Sequence, residues 1–422
     1  MASKFEYVAS GTGYLKIYNN PLKESPEALE EVKNVFRLMN RDDHKFSMLF
    51  NAFVEPKYGE DLTKYYKDSF HTIHSDSGGL QVITQGSEIT EKVKEQIYGV
   101  QGKYSDIAMS FDEIPIIVNE KSVIGDTKNR IFDTANMEDK ARQTGRNVKK
   151  QIEYFLEMKT STKPLLVLQG NCFETFMRWF DCAISEIPSN LHQYIGGISI
   201  AGSSHGNGLL EDIERAFVAG QLSSHFNNYY HLLGVGSFRK LLPYMVLLKN
   251  GYLKDIHVSY DSTSHTSAVA RVDYIKDDKK TSLGKHFNQK YSECFNEMVD
   301  FNPRMSKLDA KTFYKIINSN NQYFRDESKI ILDKEKVVDY YLTRLSFFGL
   351  SVHNFTKHVD EVTESKKKIL DLSKRYRAFK EIISLFSVTN IDDFKLWRRE
   401  NLNTKHSIRI EDTVRSDLSD LF

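Results

Sequence analysis

HTIHSDSGGLQV, residues 71–82, runs from an apolar, strand-like lead-in straight into an acid, a hydroxyl and two adjacent glycines. An ordinary turn needs no carboxylate beside bare backbone, so the stretch reads as a strand that ends in chemistry. The same arrangement recurs on both sides of it. FSMLFNAF (47–53 at its core), IAMSFD (107–112), PLLVLQG (164–170), YIGGISIAG (194–202), HLLGVG (231–236) and IHVSYD (256–261) are short apolar runs that end in polar residues or glycine. Longer amphipathic segments lie between them, such as NMEDKARQTGRNVKKQIEYFLEM (136–158) and GSFRKLLPYMVLLKNG (236–251). Strands alternating with helices over some 220 residues suit β-α crossovers and a parallel sheet, closed into a barrel or left open and doubly wound.

Asp76, Asp112, Gln169, the Gly196–Gly197 pair, Gly234 with Gly236, and Asp261 each sit at or just past the end of an expected strand. Any one of them alone reads as a strand terminator. In a (β/α)8 barrel, however, the strand ends converge on one face, where catalytic groups come from several different strands. Six such placements together point to a site.

Composition limits what that site can be. The chain has 422 residues, with 58 basic and 57 acidic side chains and a pI near 7.7, so a nucleic-acid partner would have to be met by a local patch. Its three cysteines, Cys172, Cys182 and Cys294, form no CxC or CxxC pair, which leaves neither a disulfide framework nor a thiolate zinc site. No apolar run approaches membrane-spanning length, and MASKFEYVAS lacks the apolar centre of a signal peptide. A cytoplasmic protein is expected, without membrane association. After about residue 285 the pattern becomes charged and helix-like, as in SKKKILDLSKRYRAFK (365–380). The expected division is a barrel domain over 1–284, with 1–45 leading into it, and a helical region over 285–422.

Other motifs carry less. His71 and His74 stand at i and i+3, so on a strand they point to opposite faces and do not share a metal ion. GTGYLK (11–16) and GGISIAGSSHG (196–206) lack both the full GxGxxG spacing and a Walker lysine. Lys366, Lys367 and Lys368 read as a solvated helix face. His205 and His265 could be catalytic or plain surface, and the sequence does not decide.

The motifs, taken in order, resemble those of the tRNA-guanine transglycosylases. SDSGGLQV is similar to that family's DSGG(F/Y)Q motif. SFDE (110–113), LQG (168–170), YIGGISIAG, HLLGVGS and YDSTSHT (260–266) follow in the family's order, over roughly residues 45–270, with a weaker likeness in SVHNFTKHV (351–359). The resemblance implies a TIM barrel that exchanges a guanine in a nucleic acid for a 7-deazaguanine. On the matching positions it makes Asp261 the nucleophile and Asp76 the general acid/base, with Asp112, Gln169 and Gly197 as base readers. Ser77, Gly78, Leu80, Gly196, Leu233 and Gly234 complete the substrate pocket it implies.

The chemistry suits those residue types. Breaking a glycosidic bond with retention needs one carboxylate to attack the anomeric carbon and a second group to handle protons on the leaving and entering bases. Guanine presents two donors, N1–H and the exocyclic amine, that one ionised carboxylate can accept together. The Gln169 amide and the Gly197 N–H would donate to O6, and a pocket of this kind rejects adenine by leaving buried polar groups unpaired.

The chain also departs from the family pattern. Leu80 stands where many relatives have an aromatic, so the base would lie between Leu80 and Leu233. The CxCxxC part of the usual zinc site is missing, although His353 matches its histidine position, and no metal or cofactor is expected. STSHTSAVAR follows the nucleophile in place of a PTR-like stretch, and Gly202 and Ser203 replace a glutamate. These changes resemble the DNA-directed branch of phages and bacterial modification islands, which uses 7-cyano-7-deazaguanine. The expected partners are thus DNA and a 7-deazaguanine base, in the host cytoplasm if phage-encoded, with homodimerisation left open. The alternatives are a tRNA enzyme that has lost its zinc site, a non-catalytic barrel subunit that binds nucleic acid, and a metal-dependent barrel hydrolase.

Overall fold

The computed structural model describes residues 5–10, 26–40, 46–79, 89–118, 130–201, 209–222, 225–276, 279–319, 334–376, 379–401 and 415–416. Eight strands carry the architecture: β1 (Phe5–Ala9), β2 (Ser47–Asn51), β3 (Ile73–Asp76), β4 (Ile107–Met109), β5 (Lys163–Leu168), β6 (Gly197–Ile200), β7 (Tyr229–Leu232) and β8 (His257–Ser262). All pair in parallel with their neighbours in sequence, and β1 pairs with β8 from Phe5↔Val258 to Ala9↔Ser262, closing the sheet. The fold is a (β/α)8 TIM barrel, and closure excludes the open, doubly wound sheet.

Helices alternate with the strands: α1 (Pro26–Met39), α2 (Glu91–Tyr104), α3 (Met137–Glu157), α4 (Phe173–Ile184), α5 (Leu209–Gln221) and α6 (Phe238–Lys249). A short turn of helix, Pro56–Asp61, follows β2, and Ser264–Ala270 follows β8 and leads into the antiparallel hairpin Asp273–Lys276 with Lys279–Ser282. Both faces of the sheet are covered, and for that reason β5 reads KPLLVL with every residue after Lys163 buried. Side chains facing the helices join the main core. Those facing inward, Val8, Leu49, Met109, Leu165 and Val167, form a separate cluster that fills the lumen.

The first strand, FEYVA, was not among the strands expected from sequence, because Glu6 breaks its apolar run. Glu6 is only 1 % exposed. It points into the lumen, where Ser47 and Thr72 donate to it and His257 Nε2 lies 2.7 Å away. These contacts hold its carboxyl down at about 2 against the opposing effect of burial.

Beyond the barrel lie Gln289–Phe301, Ala310–Asn318, the long α7 (Lys334–Glu364), Lys366–Ser373, Phe379–Ser384 and α8 (Ile391–Asn401), as the helical reading of this region anticipated. One exception corrects it: Arg415–Ser416 is extended and pairs antiparallel with Arg130 and Ile131, in a small sheet completed by Ile116–Val118. The apolar core runs without interruption from the barrel wall into the C-terminal helices. Phe355 of α7 packs its ring against those of Tyr7, Phe238, Tyr260 and His265. Among the described residues no helix is long and apolar enough to cross a membrane.

Candidate active site

Parallel strands put all their carboxyl ends on one face of the barrel. Asp76 is the last residue of β3, Asp112 lies three residues past β4, Gln169 directly follows β5, Leu233 and Gly234 follow β7, and Asp261 is the penultimate residue of β8. These predicted positions are therefore brought together. Asp112 and Asp261 are only 8 % and 7 % exposed, so both carboxyls sit largely out of bulk water.

Gly196 and Gly197 are not part of this group. They open β6: Gly197 pairs with Leu165, and Gly196 N–H donates to the Pro164 carbonyl, at the beginning of β5. Gly197 is thus at the amino end of the barrel, where a Cβ would overlap the Tyr229 carbonyl oxygen. Its lack of a side chain serves strand packing, and its N–H is unavailable as a base reader. From sequence the glycines are expected at the end of a strand, whereas the strand begins at Gly197. The site end of β6 carries Ala201, whose N–H donates to the Leu168 carbonyl at 3.0 Å. Leu80, the other proposed face of the base sandwich, lies outside the described residues, as do His205 and GTGYLK. Leu233 packs on the lumen cluster.

The DSGG stretch shows why its glycines are needed. Gly78 has φ +83°, and a Cβ there would come within 2.7 Å of Phe53 and 2.8 Å of Asn51 Oδ1. At Gly79 a Cβ would lie 3.2 Å from Asp112 Oδ1. Bare backbone thus lets the β3 loop pass between Asn51 and Asp112. Ser77 is buried, and its Oγ makes no hydrogen bond among the described residues.

Asp76 is oriented by a residue the sequence did not single out. Asn51 Oδ1 accepts the N–H groups of Phe53 (3.1 Å) and Val54 (2.9 Å), which turns its Nδ2 toward Asp76 Oδ2 at 3.2 Å. Burial, then the charge of Asp261, raises the Asp76 carboxyl to about 6. Asp112 is raised further, to about 7, mainly by burial; the hydrogen bond from Gln169 Nε2 (2.6 Å) opposes the rise. The second N–H of the Gln169 amide is left to donate elsewhere.

Asp261 accepts the Gly234 N–H at 2.9 Å through Oδ1. The same oxygen lies 3.3 Å from His231 Nε2, off line for a hydrogen bond, while His231 Nδ1 meets Ser259 Oγ at 2.9 Å. His231 is fully buried in the lumen, and sequence reasoning missed it because HLLGVG was weighed for its glycines. A parity count would have found it, since Tyr229, His231 and Leu233 must share one face of β7. Asp255, the other acid close to this strand in sequence, is exposed and lies before β8 begins.

The Asp112 loop is clamped from behind. Buried Lys94 reaches Asn147 Oδ1 (3.1 Å) and Glu113 (3.2 Å); Asn147 Nδ2 donates to the Phe111 carbonyl at 3.0 Å, and Glu113 N–H to Thr144 at 3.0 Å. The two histidines of HTIH part company: His71 is exposed ahead of β3, whereas His74 faces the lumen, bonded to Thr72 Oγ1 at 2.9 Å. Burial, then His231, lowers His74 to about 3, so it is neutral. His265 is structural, fully buried and 2.7 Å from the Tyr7 hydroxyl.

The residues present do not fit a zinc site. Cys172 precedes α4, Cys182 lies within it and Cys294 is in Gln289–Phe301, while His353 packs on the Phe301 ring at 5.5 Å. Among the described residues no three His, Cys, Asp or Glu side chains cluster to hold a metal.

Chemically, the face offers one carboxylate fixed by a backbone N–H, a second with an affinity for protons near neutrality, and an acid–amide pair able to accept and donate to a flat polar ligand. No protein-family model matches the chain, and no curated protein matches it.

Proposed function

We propose that the protein is a guanine transglycosylase that exchanges a guanine in DNA for a 7-deazaguanine, such as 7-cyano-7-deazaguanine, through a covalent Asp261–sugar intermediate. The observation that carries the reading is the convergence of Asp76, Asp112, Gln169 and Asp261 on one barrel face, with Asp112 and Gln169 bonded to each other. In this reading Asp261 attacks C1′ of the sugar and the C1′–N9 bond breaks, so its electron pair leaves with guanine. Asp76 protonates the departing base, takes the corresponding proton from the entering one, and is restored when the new base displaces Asp261. Asp112 accepts the two donors of the base edge, and the free N–H of Gln169 donates to O6. The nucleotide must leave the duplex stack to reach carboxylates this deep. The altered stretch after Asp261 favours DNA over tRNA, and the acids retained at all three positions weigh against a non-catalytic barrel.

The test offers labelled guanine to the purified protein with duplex DNA, single-stranded DNA or tRNA. Label should enter DNA, and a denaturation-resistant protein–DNA adduct should form in wild type and in Asp255→Asn. In Asp261→Asn the adduct should vanish and exchange should fall by about 10^4 or more, the scale of losing a nucleophile. Label entering only tRNA would reassign the polymer; an adduct that survives Asp261→Asn would remove the proposed nucleophile.

A further inference from the structure

A cavity of about 560 Å³ opens beside the proposed nucleophile. Its walls include Gly234, which holds Asp261, and Ser262, the residue after it, so it adjoins the reacting carboxylate. Five cationic side chains line it: Arg239 and Lys240 from the first turn of α6, Arg271 after the helix that follows β8, and Lys279 and Lys280 from the hairpin. None of the described residues lining it is acidic. Among the described residues Lys279, Lys280 and Arg239 make no ion pair, and the Arg271 side chain donates to the Ser267 carbonyl at 3.3 Å. Partial burial, then the charge of Arg271, lowers the Lys280 ammonium below its ordinary range, while Asp273 pulls the other way. Cations gathered in a cavity with no acidic residue in its described lining repel one another, a cost that a bound anion would relieve.

Position and chemistry suggest which anion. The loops after the seventh and eighth strands of such barrels, with a helix N-terminus, commonly bind phosphate. Ser237 and Ser264 add hydroxyls at the rim, and Gly236 keeps the loop against Ser262, where a Cβ would overlap. In a polynucleotide the phosphates are only a few bonds from the sugar carbon that Asp261 would attack. We propose that this cavity holds a backbone phosphate of the polynucleotide whose nucleoside reacts at Asp261, an assignment that rests on the transglycosylase reading above. The site has a charge reason to exist although the chain as a whole is nearly neutral.

The test measures binding of a short single-stranded DNA and the matching RNA to the full-length protein by fluorescence anisotropy across a salt series, with inorganic phosphate as competitor. For Lys279→Gln/Lys280→Gln the slope of log affinity against log salt should fall by about 2, and affinity near physiological salt on the order of tenfold. Arg239→Gln should lower the slope by about 1. All three substitutions lie on or near the surface, and unchanged circular dichroism melts would confirm that folding is intact. An unchanged slope, or no binding of either polynucleotide, would overturn the assignment, as would stabilisation by inorganic phosphate without polynucleotide binding, which would indicate a small phosphorylated ligand. Guanine exchange that persists with an unchanged slope would sink the cavity but not the transglycosylase reading. Loss of slope without exchange would do the reverse.

Discussion

Asp112 is where burial and hydrogen bonding most directly oppose each other, and the balance has a sign that can be measured. An ordinary aspartate ionises near about 4, whereas burial raises Asp112 to about 7 and Asp76 to about 6. Between about pH 4 and those values the folded protein binds more protons than the unfolded chain, so stability falls as pH rises through that window. Both acids therefore help the fold only below it, and above it their buried charge is a burden. Asp112→Asn keeps the shape and removes the charge. It should raise stability by on the order of 2 kcal/mol at pH 8, a gain that shrinks toward pH 4, while abolishing guanine exchange. Wild-type kcat/KM should be bell-shaped around about pH 6–7, with apparent values that belong to the coupled pair, because the proposed base contact needs Asp112 ionised while the proposed proton transfer to the departing base needs Asp76 protonated. Melts of wild type and variant with the same pH dependence would contradict this.

At the scale of elements, most strands were legible because apolar runs bounded by polar ends mark a parallel sheet buried on both faces. Two barrel strands escape that rule. FEYVA was passed over because Glu6 looks like a surface residue until its lumen partners are known, and YIGGISIAG was misregistered because a glycine that packs a strand start looks like one that receives a ligand. His231 and Asn51 were missed because their roles exist only across strands. The element that closes the barrel therefore makes the informative test. Tyr7 of β1 reaches His265 Nδ1 at 2.7 Å and donates to the Ser262 carbonyl at 3.2 Å, tying β1 to the residue after Asp261. Tyr7→Phe preserves the ring and leaves those partners unsatisfied in a dry interior, so it should cost about 1–3 kcal/mol. A urea midpoint shifted down by that amount, with kcat lowered by a loosened Asp261, is the expected result. An unchanged midpoint would mean the hydroxyl contributes nothing to closure.

At the scale of the whole molecule, the C-terminal helices belong to the same apolar core as the barrel, and aromatic packing holds them where thiolates are missing. Phe355 is 2 % exposed and touches rings from β1, β8, α6 and the helix after β8, so α7 fastens the two strands that close the barrel. Arg398 of α8 bonds Glu174, with Nη2 at 2.7 Å from Oε2, and Glu214 at 2.9 Å, bridging α4 and α5. Sequence revealed the helical character of this region but not its attachment, because an aromatic at helical spacing looks the same whether it meets a barrel or a partner. If packing rather than metal secures the region, two treatments should separate. A strong chelator should leave the melting temperature unchanged, since three scattered cysteines and His353 cannot share an ion. Phe355→Ala should cost about 3–5 kcal/mol, because no neighbouring ring can collapse fully into the space it leaves. Bound zinc in stoichiometric amount with unfolding by chelator, or a Phe355→Ala protein as stable as wild type, would reverse the account of how the barrel and its C-terminal helices are joined.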